Sequence, residues 1–239
     1  MISSEYADAH LHVADPRFKG ISSGARLLFG CTSTPDEWDY LSRMNGGYVV
    51  KFYGVHPWYH ERTDIEGLEE RLISDEFANV GEIGLDSKHG SLEEQMPSFI
   101  AQLELAERYG RIANIHMVGC EEDMLRILRQ HKVTCILHSF TGPESYIRPF
   151  AECGCYFSVS PRIYRKSKLK VRTLLSKIPQ DRLLIETDAP DNDMDMFDHV
   201  VRLSGLIPMQ PSELEHLTLE NARSLIPQQF LQTIRYWDS

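Results

Sequence analysis

The sequence lacks several features, and each absence narrows what the protein does. No apolar run approaches the roughly 18 consecutive residues that a membrane-spanning helix needs. The first residues, MISSEYADAH, carry neither the basic nor the apolar segment of a secretory signal. These two absences predict a cytoplasmic protein with no membrane attachment. There is no disulfide framework, because the 5 cysteines (Cys31, Cys120, Cys135, Cys153 and Cys155) are odd in number and irregular in spacing. Cys153 and Cys155 flank Gly154, which reads as a helix end before a buried strand rather than half a metal site. There is no excess of positive charge: 25 Lys and Arg against 35 Asp and Glu give a net charge of −10. That balance excludes a protein that coats nucleic acid electrostatically. It still allows an enzyme that grips a few phosphates locally. Linkers, repeats and low-complexity stretches are also missing, so residues 1–239 are expected to form a single domain with no obligate protein partner.

What is present is ordinary globular material, 42% hydrophobic and 25% charged. Eight short apolar runs lie near 6–12, 26–31, 48–55, 79–85, 112–117, 133–140, 155–160 and 182–188. They are rich in Val, Ile, Leu and Phe with little alternation, as covered parallel strands should be. Between them lie segments of helical period. The clearest is 91–110, where Leu92, Met96, Phe99, Ile100 and Leu103 form a stripe and Gly110 suits the end. The segments 121–131, the run around Val171–Ile178 and 211–225 repeat the pattern, whereas 14–24 does not. Strands alternating with helices predict an α/β fold, a (β/α)8 barrel of TIM type, for which 239 residues is the usual size. An open doubly wound sheet is the alternative, but LHVADP offers no Gly-rich turn after the first strand.

The barrel reading makes a prediction about chemistry, because active sites of such barrels lie where the strands end. The motif ADAHLHV places His10 and His12 two apart, facing one side of the first strand. Glu82 in VGEIGLD lies near the end of the fourth strand, His116 in NIHMVG ends the fifth, His138 in ILHSFTG the sixth and Asp188 in LLIETDAP the eighth. Four imidazoles and two carboxylates exceed what one tetrahedral zinc takes. They suit two divalent ions sharing a bridging carboxylate, with Glu82 the natural bridge and Gly84 leaving room beside it. The mixed nitrogen and oxygen donors favour zinc, manganese or iron over magnesium.

In these motifs the chain resembles the TatD family of metal-dependent hydrolases, within the amidohydrolase superfamily. The matching pieces are DAHLH, GVHPW, GEIGLD, EEQMPSFIAQLELA, IHMVG, LHSFTG, SVSP, LLIETDAP and TLENARSLI. The resemblance implies that His10, His12, Glu82 and Asp188 hold one metal and that Glu82, His116 and His138 hold the other. It implies a water between the ions as nucleophile, oriented by Asp188, which accepts its proton. Glu82 and Asp188 are thus the implied catalytic residues. The implied activity is hydrolysis of phosphoric esters, as by a deoxyribonuclease trimming 3′ ends, with nucleic-acid ends or small phosphoesters as partners. A hydrolase of a small phosphoester, lactone or amide is the alternative, and a non-catalytic metal-binding barrel is a third reading.

Residues beside the ligands carry further expectations. His56 in GVHPW either touches substrate phosphate or the leaving group, or is packed by Pro57 and Trp58. Asp8 and Glu186 sit two residues before a ligand, suited to hydrogen bonding a ligand histidine. Ser139 and Thr141 either contact substrate or serve the turn SFTG. His60, His89, His131, His199 and His216 are expected at the surface. The run PRIYRKSKLKVR follows the seventh strand, so Arg162 and Arg165 are candidates for an anionic substrate, while Lys168, Lys170 and Arg172 are solvated. The chain departs from the family pattern at Val118, where relatives often carry Arg, and at Trp58, where they often carry His. It departs also in DNDMDMFDH, a short loop whose four aspartates should repel a phosphate backbone.

Overall fold

The computed structural model describes residues 5–20, 24–44 and 48–235. Eight parallel strands stand side by side in chain order. They are β1 (Tyr6–Leu11), β2 (Ala25–Cys31), β3 (Val49–Tyr53), β4 (Asn79–Asp86), β5 (Ala113–Val118), β6 (Cys135–Leu137), β7 (Cys155–Val159) and β8 (Leu183–Ile185). Beyond the last strand the Asp188 N–H donates to the His10 carbonyl at 3.1 Å, and the His12 N–H donates to the Ala189 carbonyl at 2.7 Å. These bonds draw the end of β8 against the end of β1, and the sheet becomes a nearly closed barrel. The open-sheet alternative is excluded.

The helices are α1 (Trp38–Ser42), α2 (Ile65–Ser74), α3 (Leu92–Tyr109), α4 (Glu121–Leu128), α5 (Ile147–Glu152), α6 (Lys168–Lys177), α7 (Met196–Ser204), α8 (Pro211–Ser224) and α9 (Gln228–Arg235). No helix among the described residues is long and apolar enough to cross a membrane. The α3 helix follows its sequence closely. The Ser91 hydroxyl accepts from the Glu93 N–H at its start, and Gly110 ends it at φ 62 in the left-handed region. Its inner face buries Phe99, Leu103 and Ala106. Two buried glutamines on that face clamp strand ends. Gln102 exchanges hydrogen bonds with the Val55 N–H (2.8 Å) and carbonyl (3.1 Å), and Gln95 does the same with Asp86 (2.8 and 3.0 Å). The backbone beyond β3 and at the end of β4 is thereby satisfied and fixed.

The strands alternate more than the sequence suggests. Along β1, Ala7 and Ala9 join the apolar lower interior of the barrel with Leu219 and Ala222 of α8. Asp8 faces outward to Thr187, a register shift follows, and beyond it the His10 Nδ1 lies 3.0 Å from Asn114 Oδ1 on β5, across the barrel. The interior is therefore polar near its upper end. Gly84, at φ 151, has a reason beyond free space: a Cβ there would overlap the His116 carbonyl oxygen. Gly154 and Cys155 stand as the sequence indicates, a left-handed turn at φ 87 and the start of β7.

One expectation about the surface is overturned. His199 on α7 is buried, not exposed. Its Nε2–H donates to the Val159 carbonyl at 2.8 Å, and its Nδ1 accepts from the Tyr164 hydroxyl at 2.9 Å. It pins α7 to the end of β7. The acidic run before it conceals the helix, which Asp195 caps by accepting from the Phe197 N–H.

Candidate metal centre

The six residues singled out from strand ends converge around Glu82 on β4. Its Oε2 lies 3.4 Å from His10 Nε2 and 3.2 Å from His12 Nε2. Its Oε1 lies 2.9 Å from His116 Nδ1 and 2.8 Å from His138 Nε2. Asp188 Oδ1 closes the first side, 3.9 Å from His10 Nε2. Donor atoms of three overlapping groups lie within 4.8 Å of one another: His10, His138 and Asp188; His10, His12 and Glu82; His56, Glu82 and His116. His56 is thus brought into the cluster, its Nε2 3.4 Å from Glu82 Oε1 and 3.2 Å from His116 Nδ1.

The chemistry of this donor set fits divalent cations. Imidazole nitrogens face each other at 3.1 Å between His10 and His12, and at 3.2 Å between His116 and His138. At most one proton can lie between each facing pair, so lone pairs point into one shared space. Asp188 Oδ2 is buried, with Arg162 Nε 3.0 Å away as its charged partner. Buried carboxylates persist where such cationic partners compensate the lost water.

Electrostatics are strong here because the groups are dry. Burial pushes the Glu82 carboxyl up, but the nearby His138, His56 and His10 outweigh it and hold it well below the usual range. Burial pulls His138 down, yet Glu82 and Glu186 carry it well above the ordinary imidazole value. His56 goes the other way, and desolvation pushes it to about 4 despite Glu82. Burial raises Asp188, against the pull of His138, His10 and Arg162.

Supporting residues fix the donors. Asn114 accepts at His10 Nδ1 and donates to the Ala9 carbonyl (3.0 Å), so His10 presents Nε2 inward. Asp86 Oδ2 stands 3.3 Å from His116 Nε2 and leaves Nδ1 for the centre. The same oxygen accepts from Trp58 Nε1 at 2.8 Å. Burial raises the Asp86 carboxyl, but these two bonds dominate and hold it below its normal range. Neither Asn114 nor Asp86 is singled out by sequence reasoning, although each lies at even spacing from a ligand, two before His116 and four after Glu82. Glu186 stands 3.4 Å from His138 Nδ1 and accepts from the Ser139 N–H at 2.7 Å. Asp8 supports the loop instead of an imidazole. It accepts from the Thr187 N–H and hydroxyl at 3.0 and 2.6 Å, and burial pushes its carboxyl to about 7.

Two ends of strands are strained. Ser139 and Asp188 adopt φ of 49 and 56, in the left-handed region. Such residues cost of order 1 kcal/mol or more and persist where the surroundings hold them. Here Glu186 and Ser160 hold Ser139, and the His10 carbonyl holds Asp188. Ser139 thus serves the turn, and Thr141 does not line the cavity above the site.

That cavity has a volume of about 170 Å³ and is lined by His12, His56, Trp58, Tyr59, Glu82, His116, His138, Arg162, Asp188 and others. Arg162 reaches it as expected, with Nε 3.0 Å from Asp188 Oδ2. Arg165 is exposed and does not line it. The acidic loop is less repulsive than its sequence implies. Asp191 pairs with Arg162 (3.3 Å) and with Arg17 (2.9 Å), a residue that sequence reasoning passed over. Asp195 is spent as a helix cap.

Comparison with known proteins agrees with this geometry. Residues 7–227 match the family described as TatD related DNase. The chain belongs to the TatD family of metal-dependent hydrolases and nucleases. Among TatD relatives, the metal-dependent hydrolase YjjV of Escherichia coli K12 is 30% identical over 212 residues, 80% of this chain and 82% of its own. The 3′-5′ ssDNA/RNA exonuclease TatD of Erwinia billingiae is 28% identical over 211 residues, 77% of this chain and 80% of its own. The crystal structure of the TatD homologue YjjV from E. coli superposes with a TM-score of 0.82 at 24% identity, covering 94% of this chain and 99% of that one. A TatD-family hydrolase from Entamoeba histolytica gives 0.77 at 15% identity, covering 95% and 99%.

Proposed function

We propose that this TatD-family hydrolase cleaves phosphoric esters with two divalent ions, zinc, manganese or magnesium, and that its substrate is the end of a single nucleic-acid strand. The observation that carries the reading is the division of Glu82: one carboxylate oxygen faces His10 and His12, the other faces His116 and His138. A carboxylate so divided is the bridge that a two-ion site needs. His10, His12, Glu82 and Asp188 would hold one ion, and Glu82, His116 and His138 the other. When bound, the ions would supply Lewis-acid stabilisation of the phosphoryl oxygens and a more acidic water.

The chain's own residues do the remainder. Asp188, whose Oδ2 is released as Arg162 turns to the substrate, takes a proton from the attacking water. Arg162, beside Asp188, turns its guanidinium to a phosphoryl oxygen and neutralises it. His56, kept neutral by burial, lies where the leaving oxygen departs. The volume of about 170 Å³ suits a single ester group. The printed name of the Erwinia relative supports strand ends as substrate. A second reading, a small phosphoester, draws on the small cavity, where Asp15 and Asp191 engage Arg17 and Arg162 and so compete with a long anionic backbone for them.

Release of nucleotides from 3′-labelled single-stranded DNA tests the proposal, with manganese or magnesium, with chelator, and with Glu82→Gln. The variant should lose at least about a hundredfold, the upper end of what removing a supporting group alone costs a metal site. Release surviving in the variant or in chelator would refute it. No release from DNA by metal-loaded protein, with turnover of a small phosphoester, would favour the second reading.

A further inference from the structure

The rim of the cavity carries a feature that hydrolysis itself does not use. Trp58 and Tyr59 are 44% and 39% exposed, two large aromatic rings beside a polar cavity. Both lie on the 3-10 turn Pro57–Arg62 that follows His56. Exposed aromatic rings at a concave site are a recognised mark of binding.

The Trp58 ring is held rigidly. Its Nε1 donates to Asp86 Oδ2 at 2.8 Å, and its backbone N–H donates to His56 Nδ1 at 3.2 Å. Its centroid lies 6.4 Å from that of His116, so the indole stands next to the hydrolytic centre. The exposed imidazole of His89 lies on it, with centroids 4.7 Å apart and planes inclined by 20°. The indole face thus already accepts a flat ring. Among the described residues the His89 side chain makes no hydrogen bond or ion pair, so stacking alone keeps it there. A ring fixed before binding loses little freedom when another ring stacks on it.

We propose that Trp58, with Tyr59 beside it, is a stacking platform for a planar ring of the substrate. On the reading of the preceding subsection, on which this rests, that ring is the nucleobase next to the ester held at Glu82. His89 occupies the platform in the free protein and gives way to the base. Stacking is tolerant of base identity, since every base has a π face. The platform therefore distinguishes a strand end that carries a base from one that does not, without reading sequence.

Steady-state cleavage of two matched single strands tests this, one with an ordinary end and one with abasic terminal nucleotides. The wild-type protein should show a KM about tenfold lower for the base-bearing end, within the range of stacking contributions. Trp58→Ala should raise KM for that end and erase the preference. Trp58→Phe should keep the preference while losing the indole bond to Asp86. Equal KM values for both ends in the wild type overturn the platform and leave the nuclease reading standing. So does a Trp58→Phe variant that loses the preference as fully as Trp58→Ala, which would make Trp58 only a positioning residue for Asp86. A second measurement needs no turnover: tryptophan fluorescence of Glu82→Gln titrated with thymidine monophosphate or with deoxyribose phosphate. Quenching by the nucleotide alone, lost when Trp58→Phe is added, supports the platform. If neither strand is cut, that quench keeps the platform as a ring-binding site while the nuclease reading falls, and its absence removes both.

Discussion

The two ends of the barrel interior are buried equally deeply and differ wholly in chemistry. Toward the bottom, Ala7, Ala9, Leu27, Phe29, Val50, Phe52, Ile136 and Leu184 pack with Leu219, Ala222 and Ile226. Toward the top, His10, Glu82, Asn114, His116, Ser158 and Glu186 fill the interior. Burying a large apolar side chain stabilises by about 1.5–3 kcal/mol. Burying a polar group costs unless each atom finds a partner. The lower interior therefore helps hold the barrel together, and the upper interior uses that stability to keep donors dry and close. The same strands do both because their inward side chains change from apolar to polar along the strand: Ile136 stands beside Asn114, and Leu184 beside Ser158.

The largest expected effect lies in the lower interior. Phe52 is fully buried and stacks on Phe29 with centroids 5.4 Å apart. Phe52→Ala should destabilise by about 3–5 kcal/mol, read by denaturant unfolding. The metal affinity of the molecules that remain folded should be unchanged, and a weakened affinity in them would break the separation of the two ends.

The upper interior should behave in the opposite way. Asn114→Ala frees His10, and Asp86→Asn removes the charge behind His116. Each should weaken binding of one divalent ion by about 10- to 100-fold, measured by calorimetric titration. The melting temperature of the metal-free protein should move far less than in Phe52→Ala. A loss of fold without selective loss of affinity would show that these polar contacts support the barrel.

The smallest effect sharpens the comparison, because His199 is a histidine used for structure. Burial lowers its proton affinity below the ordinary value of 6.5 despite the bond to Val159. In the window below that value the unfolded chain takes a proton that the folded chain refuses, so stability is complete above it and falls as pH drops toward the folded value. The slope is at most about 1.4 kcal/mol per pH unit. In His199→Gln, stability measured from pH 7 to pH 5 should fall less steeply than in the wild type. An identical slope would mean that His199 charges freely in the folded protein.

Much of this was legible in the sequence, and the exceptions have physical causes. The α3 helix declares itself through Ser91, its apolar stripe and Gly110, all of them local signals. The convergence of the six candidate ligands is legible because barrel topology sends every strand end to one rim. The ends of β6 and β8 are not. Both strands stop after three residues, and His138 and Asp188 stand beyond them, near the left-handed residues Ser139 and Asp188 itself. Nothing local announces that turn, since neither residue is glycine. Asn114 and Asp86 escape notice because their roles depend on partners 104 and 30 residues away. His199 is hidden by the aspartates before it, which read as loop and in fact include a helix cap.

The seam of the barrel also sets a timetable. The bonds from Asp188 to His10 and from His12 to Ala189 join segments nearly 180 residues apart, a separation like the 179 between Asp8 and Thr187. During synthesis Asp188 emerges long after His10 and His12. Until then the nascent chain carries two imidazoles that lack their partners from beyond β8. Only when β8 is laid beside β1 do the carboxylate and the imidazoles meet. Loading with metal is in this way tied to finishing the fold.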